Sequence, residues 1–461
     1  MPFRCFWLAC LCLLACNSSN QIARFAPVAV PVKHVPYSTE ELQRRTFEFF
    51  WQETDTVFWQ TQDRYPTIQF SSIAATGFGL AGIAVGIQNS YISRQQGAQR
   101  ALNTLQTLWN MKQGPEKAGV SGYKGFFYHF LTLDKAVRYQ EVELSTIDTG
   151  LLMAGVLTVM SYFDRDDPTE NQVRKIADEL YRRVEWNWAL DDPNQIAMGW
   201  HPENGFINAD WNGYNEAMVL LIMAIGSPTH AIPAESWADW CSTYEWKDEH
   251  VIFGPLFGHQ YSQMFVDFKG IQDPYMKSKG IDYFENSRRA TLDNRNYCVR
   301  NPFKFTGYSE DCWGLTACDG PKDTVIQWQG KEIKVKGYNA RGYAANYNQD
   351  DGTIAPTAAG GSYPFTPELS EKAMARMWNN YPGVVGKYGF KDSFNPTYTF
   401  GPGNEKGWYD VDYLGIDQGP ILIQMENYKT GLIWNTLKKN PYIQAGLKKA
   451  GFTGGWLNSI Q

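Results

Sequence analysis

The sequence predicts an all-α domain built as a helical toroid, in which an inner ring of helices is wrapped by an outer ring. Two hydrophobic patterns predict this fold. Residues 171–188 carry one apolar stripe with charged residues opposite, which is typical of a surface helix. Residues 147–159 and 419–434 are apolar nearly all round, as expected for helices that are covered on every side. Alternation of the two patterns along the chain indicates two rings.

The same periodicity predicts the other helices, and turn residues predict the segments between them. We expect further helices at 39–53, 74–88, 94–112, 214–225, 234–240, 261–268, 281–297, 367–381 and 441–450. A small β-hairpin insertion is expected where 324–328 pairs with 333–335 around Gly330. Long Gly-, Pro- and aromatic-rich loops are expected at 119–130, 198–214, 301–320, 338–365 and 390–415. Because loops of this length in a domain are usually functional, we expect them to build the site.

The N-terminus has the pattern of a bacterial export signal. Arg4 precedes a short apolar run, and residues 13–16, Leu-Leu-Ala-Cys, resemble a lipoprotein box in which Cys16 takes the lipid. We therefore predict a signal peptide at 1–15, a lipid-anchored flexible tether at 16–36 and a single catalytic domain at 37–461. The expected location is the periplasm or the outer membrane and cell surface. Ordinary secretion is the alternative, because Leu14 is bulky for such a box.

The charge pattern excludes one class of partner, and the cysteines allow two chemical states. The formal net charge is −6 and the chain has no basic block, so we expect no nucleic-acid partner. Cys241, Cys298, Cys312 and Cys318 lie in the predicted mature chain. Cys312 and Cys318 are close enough in sequence to pair in an oxidising compartment, and free buried thiols are the alternative.

Aromatic residues make up 15% of the chain, including 17 Trp and 26 Tyr, and many fall in the predicted loops. The flat C–H faces of sugars pack on aromatic rings, while Trp N–H and Tyr O–H groups bind hydroxyls. Each ring taken alone is as well explained by packing. As a set beside polar loop residues, they favour a neutral ligand such as a glycan.

Carboxylates recur where a loop enters a predicted buried helix. Glu143 and Asp148 flank one such entry, Glu216 lies at a second and Asp417 at a third. Glycoside hydrolysis needs one protonated and one ionised carboxyl group. Apolar neighbours favour Glu216 as the acid, and an open Gly-rich turn favours Asp417 as the base. Helix capping is the alternative role for Asp148 and Asp417.

Metal sites are not expected. The six histidines are scattered, without the spacing of a zinc site. Asp410, Asp412 and Asp417, or Asp350 with Asp351, supply oxygen ligands for calcium, but we interpret them as solvated loop acids.

Six segments together resemble the bacterial glucoamylase-like domain family, whose characterised members are similar to endo-β-1,2-glucanases. These are residues 121–130 (SGYKGFFYHF), 143–149 (ELSTIDT), 226–230 (GSPTH), 284–291 (FENSRRAT), 313–317 (WGLTA) and 415–420 (GIDQGP). The resemblance implies an (α/α)6 barrel, inverting hydrolysis of β-1,2-glucan and no cofactor. Whether cleavage is endo or exo, releasing sophorose, stays open.

The resemblance and the loop chemistry together give a set of candidate site residues. Glu216 is the acid and Asp417 the base, with Asp148 and Glu143 as further catalytic candidates. The expected substrate-binding residues are Tyr123, Phe127, His129, Trp211, Tyr214, Asn215, Arg288, Trp313, Trp408 and Tyr413.

Two other functions stay open on the sequence alone. One is a non-catalytic glycan-binding lipoprotein, and the other is a helical-toroid polysaccharide lyase that uses Tyr and His. We expect an oligo- or polysaccharide β-glucan as the partner, a membrane contact through the lipid alone, and a monomer.

Overall fold

A computed structural model of the protein describes residues 35–192 and 194–459. The predicted signal peptide, Cys16 and the tether up to residue 34 lie outside these residues. The helices are α1 Thr39–Gln52, α2 Ile73–Gln88, α3 Arg94–Asn110, α4 Thr146–Tyr162, α5 Pro168–Arg183, α6 Met218–Gly226, α7 Glu235–Ser242, α8 Phe257–Phe265, α9 Pro274–Lys279, α10 Tyr283–Arg300, α11 Pro356–Gly360, α12 Pro367–Asn380, α13 Gly415–Thr430, α14 Leu432–Leu437 and α15 Pro441–Lys449. Short 3₁₀ turns occupy Trp186–Ala189, Pro382–Val384 and Gly455–Ser459.

The strands are short and lie in the loops between helices. One antiparallel sheet has the order Gly205–Phe206, Gly199–His201, Leu144–Ser145, Phe126–Tyr128, Gly122–Tyr123. The other strands pair two by two: Arg64–Tyr65 with Tyr413–Leu414, Ser71–Ser72 with Phe130–Leu131, Leu190–Asp192 with Gln195–Ile196, Trp246–Lys247 with His250–Val251, Ile271–Gln272 with Thr453–Gly454, Ala317–Cys318 with Asn339–Ala340, Thr324–Trp328 with Lys331–Val335, Gly342–Ala344 with Tyr347–Gln349, Val385–Gly386 with Gly389–Phe390, and Phe394–Asn395 with Trp408–Tyr409.

The helices form two concentric rings, as the sequence predicts. Helices α2, α4, α6, α8, α11 and α13 make the inner ring, and every residue of α6 is buried. Most ring neighbours pack directly, and α13 closes the ring against α2. Helix α8 reaches α11 through the Gln260 amide, which donates to the carbonyl of Ala358 over 2.9 Å. Helices α1, α3, α5, α15, α10 and α12 pack around them and expose their charged faces. The predicted (α/α)6 barrel is therefore confirmed, and the C-terminal α15 supplies the outer partner of α6.

The inner helices begin at one mouth of the barrel, which positions the site. The Thr357 hydroxyl at the start of α11 donates to the carbonyl of Asp417 at the start of α13, over 2.8 Å. Ser262 of α8 donates to the carbonyl of Glu216, just before α6, over 2.9 Å. The loop carbonyl of His129 accepts from the first N–H of α2, and its side chain reaches the first turn of α4. Residues at these helix starts therefore converge.

Several boundaries differ from the sequence-based expectation. The apolar run 419–434 is two helices, α13 and α14, because Gly431 lies between them with φ +68°. The short α11 lies inside the segment expected as the loop 338–365. The hairpin is confirmed, with Gln329 and Gly330 both at positive φ, as in a type I′ turn.

Two further findings concern the cysteines and the membrane. Cys241, Cys298, Cys312 and Cys318 are all free and buried, so the free-thiol alternative is confirmed and the 312–318 pairing is wrong. Within residues 35–192 and 194–459, every helix is too short or too polar to traverse a lipid bilayer.

Glycines bring α2 and α4 into backbone contact. A Cβ on Gly155 would lie 2.1 Å from the carbonyl oxygen of Gly77, and a Cβ on Gly77 would lie 2.5 Å from the carbonyl oxygen of Leu151. Backbone atoms cannot move aside as a flexible side chain would. The inner ring is therefore intolerant of side chains at this crossing.

We expect Gly155→Ala to lower the free energy of unfolding by about 1–3 kcal/mol, because the added methyl group forces the two helices apart. Chemical denaturation measures the change. Gly337→Ala is the matched control, since a Cβ there has open space and the loop backbone needs no positive φ. Equal destabilisation by both substitutions would contradict the close-packing explanation.

Candidate functional site

The predicted carboxylates lie at the mouth where the inner helices begin. Asp148 is in the first turn of α4, Asp417 is in the first turn of α13, and Glu216 lies two residues before α6. Glu143 precedes the strand that runs into α4. A helix start stabilises an ionised carboxylate through its unpaired N–H groups and the helix dipole. The mouth is therefore built to hold acids.

Glu216 has the environment of a protonated acid. Its Oε2 is closed to solvent and has no hydrogen-bond partner within the described chain. Burial raises the pKa of Glu216 to about 7, and the charge of Asp148 adds to the shift. Leu220 and the rest of α6 are fully apolar, so no cation there favours the ionised form. Glu216 can therefore hold a proton near neutral pH.

His129 links Glu143 and Asp148. Its Nδ1 lies 2.7 Å from Glu143 Oε1, and its Nε2 lies 3.7 Å from Asp148 Oδ2. Burial disfavours the imidazolium, but the charges of Asp148 and Glu143 outweigh burial and raise the pKa of His129 to about 10. Burial also opposes ionisation of Glu143, yet the cation holds the pKa of that carboxyl below its usual value. The three groups form an ion-paired triad.

Asp148 takes part in capping α4, which is the alternative role that the sequence allows for it. The Ser145 hydroxyl accepts from the N–H of Asp148 over 3.2 Å and donates to its carboxylate. Burial raises the pKa of Asp148, opposed by the charge of His129. The carboxyl of Asp148 therefore has a hydrogen bond from Ser145 and a cationic neighbour in His129, and its own charge reaches Glu216.

Asp417 occupies the predicted helix start, but its surroundings differ from the expected open turn. It is 3% exposed, and it does not cap α13, whose N-cap residue is Leu414. Burial raises the pKa of Asp417 to about 7, and a hydrogen bond with Asp392 lowers it in part. Burial and the charge of Asp417 raise the pKa of Asp392 well above the usual range. Asp392 therefore keeps the proton of this pair, and Asp417 ionises first.

Asp63 and Arg64 lie between the His129 triad and the Asp417–Asp392 pair. No pattern in the sequence singles out either residue. Arg64 Nε lies 3.1 Å from Asp63 Oδ2, and Arg64 Nη1 lies 2.8 Å from Asp319 Oδ2. Burial raises the pKa of Asp63, while the charges of Arg64 and His129 lower it. Asp63 therefore lies between the His129 triad and the Asp417 pair.

Tyr261 of α8 connects the proposed acid and base. Its hydroxyl donates to the carbonyl of Ile416, next to Asp417, over 3.4 Å. Burial raises the pKa of Tyr261 well above its usual value, and the charges of Asp417 and Glu216 both contribute. Because the charges of both carboxyls reach the Tyr261 hydroxyl, Glu216 and Asp417 lie at the same end of the barrel. Asp392, Asp63 and Tyr261 carried no sequence signal, because each becomes notable only through its neighbours in space.

Several aromatic residues expected to bind substrate are core residues instead. Phe127 and Trp313 have no exposed surface, and Tyr214 and Tyr413 expose 2% and 4%. Tyr214 packs among Trp240, Tyr244, His259 and Tyr283, and Tyr413 packs on Tyr388. The structure therefore places these four side chains in the core, because the aromatic loops fold inward over the ends of the helices.

Three other expected contacts have structural partners. The Trp211 indole donates to the Thr146 hydroxyl over 2.9 Å and so holds the start of α4. Asn215 accepts from the N–H of Ala217 over 3.0 Å within its own loop. Arg288 pairs with Glu285 on the outer helix α10, away from the inner-helix starts. Each of these side chains therefore has a structural partner within the fold.

The aromatic side chains that keep exposed surface are fewer. Tyr123 and Trp408 are half-buried, and Tyr123 packs against Trp200 with ring centroids 5.3 Å apart. Tyr338 is 51% exposed, and its charge reaches Tyr261. These rings can offer flat faces beside the mouth.

A separate groove of about 590 Å³ lies against the outer helix α3. It is lined by Trp59, Asn103, Gln106, Lys112 and Lys135, among others, and holds none of the mouth carboxylates. The groove is therefore distinct from the acid site.

Known proteins share this architecture. Residues 208–441 match the model of a family described as putative glucoamylase. A putative glucoamylase structure from Bacteroides uniformis is 33% identical with a TM-score of 0.79, covering 92% of this chain and all of its own. An endo-β-1,2-glucanase from Chitinophaga pinensis, in complex with sophorotriose and glucose, is 31% identical with a TM-score of 0.77, covering 91% of this chain and all of its own.

A curated relative is longer than this chain. The exo β-1,2-glucooligosaccharide sophorohydrolase of Parabacteroides distasonis is 28% identical over 474 residues, which cover 94% of this chain and 60% of the relative. This chain thus spans about 60% of the length of that relative. With the family model matching half of the chain and full-length structural relatives above 30% identity, the chain belongs to the putative glucoamylase family.

Proposed function

We propose that the protein is an inverting glycoside hydrolase that cleaves β-1,2-glucan. One observation carries the proposal: the half-buried Glu216 keeps its Oε2 closed to solvent and unpartnered, with a pKa raised to about 7, at the mouth that also holds Asp417. An acid and a base of this kind are the machinery of glycoside hydrolysis. A glycan-binding protein would not need a raised acid pKa.

Glu216 acts as the general acid. Its proton moves to the glycosidic oxygen as the bond between that oxygen and the anomeric carbon breaks, so the leaving sugar departs as a neutral alcohol. The negative charge of Asp148 and the burial of Glu216 both favour the protonated form before the reaction. The resting state therefore has the proton in place.

Asp417 acts as the general base. A water attacks the anomeric carbon on the face opposite the leaving group, and the proton of that water passes to the Asp417 carboxylate. The hydrogen bond from Asp392 lowers the pKa of Asp417 and helps it to stay ionised. Attack on the opposite face converts a β-linkage into an α-anomer. Glu143, His129 and Asp148 then position the sugar and set the charge around Glu216.

The choice of β-1,2-glucan rests on the relatives and on the mouth. Two similar proteins are named as an endo-β-1,2-glucanase and an exo β-1,2-glucooligosaccharide sophorohydrolase. Tyr123, Trp408 and Tyr338 supply exposed ring faces for sugars. The abundance of acids at the mouth disfavours anionic glycans, because like charges repel. A neutral glucan fits these features.

The location of the enzyme is a separate proposal. Residues 13–16 support cleavage before Cys16 and attachment of a lipid to its thiol, and the Pro-rich segment up to residue 36 supports a tether. The barrel would then act at a membrane surface in the periplasm or outside the cell, as a monomer.

We expect Glu216→Gln to lower kcat on β-1,2-glucan by about 10²–10⁴-fold, because an amide cannot donate the proton. Sizing of the products with time measures the loss. At pH 8 the melting temperature should not fall, since the amide replaces a buried carboxylate that is charged above its pKa of about 7.

Glu332→Gln is the matched control, because Glu332 is exposed on the hairpin. The same role for Glu216 predicts that kcat/KM of the wild type falls about tenfold per pH unit above about 7, as the acid loses its proton. Full activity of Glu216→Gln, or activity constant up to pH 9, would exclude Glu216 as the acid.

We expect the first product from β-1,2-glucan to be the α-anomer, because water attacks the face opposite the leaving group. Proton NMR during the first minutes of the reaction distinguishes the anomers. β-1,3-, β-1,4- and α-1,4-linked glucans serve as controls and should stay intact. A β-anomer would contradict inversion, binding without shortening would favour the glycan-binding alternative, and an unsaturated product would favour the lyase.

We expect the mature chain to begin at a lipid-modified Cys16, because that thiol follows the predicted cleavage site. Mass spectrometry of the N-terminal peptide from the native host measures the modification. Cys16→Ser should release the protein from the membrane fraction while its specific activity stays unchanged. An unmodified N-terminus beyond residue 16 would contradict lipidation.

A further inference from the structure

We propose that Asp319, Asp410 and Asp412 form a Ca²⁺ site beside the mouth, distinct from the acid and base. Each residue offers a carboxylate oxygen, and these three oxygens lie within 4.8 Å of one another. Oxygens bound to one Ca²⁺ at about 2.4 Å can be up to about 4.8 Å apart, so the cluster fits a single ion. This departs from the sequence-based expectation of solvated loop acids.

The backbone holds the carboxylates in place. One oxygen of Asp410 accepts from the N–H groups of Val411 at 2.6 Å and Asp412 at 3.2 Å. One oxygen of Asp412 accepts from the N–H of Thr67 at 2.8 Å. These bonds use one oxygen of each carboxylate and leave the other for a further partner. The ligands are therefore preorganised.

A buried oxygen in the cluster lacks its partner. Asp410 is 5% exposed, and its Oδ2 has no hydrogen bond anywhere in residues 35–192 and 194–459. The neighbouring Asp392 is 1% exposed, and its Oδ2 accepts from the N–H of Asp319 at 2.6 Å, so the backbone of a second cluster residue is also held in place. Unpartnered buried carboxylate oxygens are costly, so the arrangement points to a missing positive ligand.

Protein cations do not supply that ligand. Arg64 Nη1 lies 2.8 Å from Asp319 Oδ2 but 3.8 Å from Asp412 Oδ2, and Arg64 Nε is engaged with Asp63. The charge of Lys391 reaches Asp410 and Asp412, yet across the described part of the chain its ammonium forms no ion pair within 4.0 Å. The hydrogen bonds of the Arg64 guanidinium to carboxylates thus go to Asp63 and Asp319, and Asp410 and Asp412 receive none from it.

The ligand types select the ion. All three side chains are carboxylates, with no imidazole or thiol among them. Oxygen-only donor sets suit hard cations, and the flexible coordination of Ca²⁺ tolerates carboxylates that are also bound to backbone N–H groups. Water would complete the coordination shell on the exposed side of Asp319, which is half-buried.

A bound ion would join two separate segments. Asp319 follows the strand Ala317–Cys318, and Asp410 and Asp412 precede the strand that enters α13. The carboxylate of Asp412 also holds the loop after Arg64 through the N–H of Thr67. The ion would therefore brace the entry to the helix that carries Asp417. This effect is on folding stability and does not depend on catalysis.

The test uses the Glu216→Gln variant of the full chain, so that binding is measured without turnover. The protein is stripped with EDTA, and CaCl₂ is titrated by calorimetry and by melting. We expect one Ca²⁺ per chain and a rise in melting temperature of about 3 °C at saturation. No heat and no shift with CaCl₂, MgCl₂ or MnCl₂ up to about 10 mM would overturn the site, since ions that bind this weakly would not be resident.

Variants assign the binding to these residues. Asp410→Asn and Asp319→Asn should each lose the Ca²⁺-dependent shift, and two positions guard against a folding defect in either one. Asp134→Asn is the matched control, because Asp134 is an exposed loop acid. Unchanged Ca²⁺ binding in both cluster variants would overturn the assignment. Failure of this test leaves the hydrolase proposal intact, because activity is not the readout.

Discussion

The parallel direction of the inner helices is the constraint on which the site depends. Because α4, α6 and α13 all begin at one mouth, their first residues converge from distant parts of the chain. Each helix start brings unpaired N–H groups and a positive dipole end, which favour carboxylates. Residues 148, 216 and 417 thus lie at the same mouth although they are far apart in the sequence. Chemistry at the mouth follows from the direction of the ring.

Burial raises the pKa of each of these acids, and their neighbours then distinguish them. Glu216 has apolar neighbours and an unpartnered oxygen, so it keeps a proton. Asp148 has a nearby cation in His129, which opposes the effect of burial. Asp417 has a protonated neighbour, Asp392, which donates a hydrogen bond to it. One fold thereby gives several carboxyls at the same mouth different hydrogen-bond partners and different neighbouring charges.

The sequence predicts the framework well because helices leave periodic patterns. The two-ring barrel, the hairpin and the position of Glu216 and Asp417 at helix starts all follow from local residues. Asp392 and Asp63 do not, because their importance comes from neighbours that are distant in the chain. Recognising Asp392 requires knowing that residues 392 and 417 touch.

Aromatic loops were the weakest basis for prediction. Composition shows that rings are abundant near polar residues, but it does not show which way a loop folds. Trp313 and Phe127 turn inward and complete the core, while Tyr338 turns outward. A large ring gains about 2–3 kcal/mol from burial, so packing competes directly with ligand binding for the same side chains.

The four cysteines of the described barrel are free thiols and form no disulfide. Cys241, Cys298, Cys312 and Cys318 are each sealed within the barrel, and no covalent bridge between them supports the rings. Noncovalent packing alone therefore holds the described barrel. Its assembly therefore requires no disulfide among these four residues.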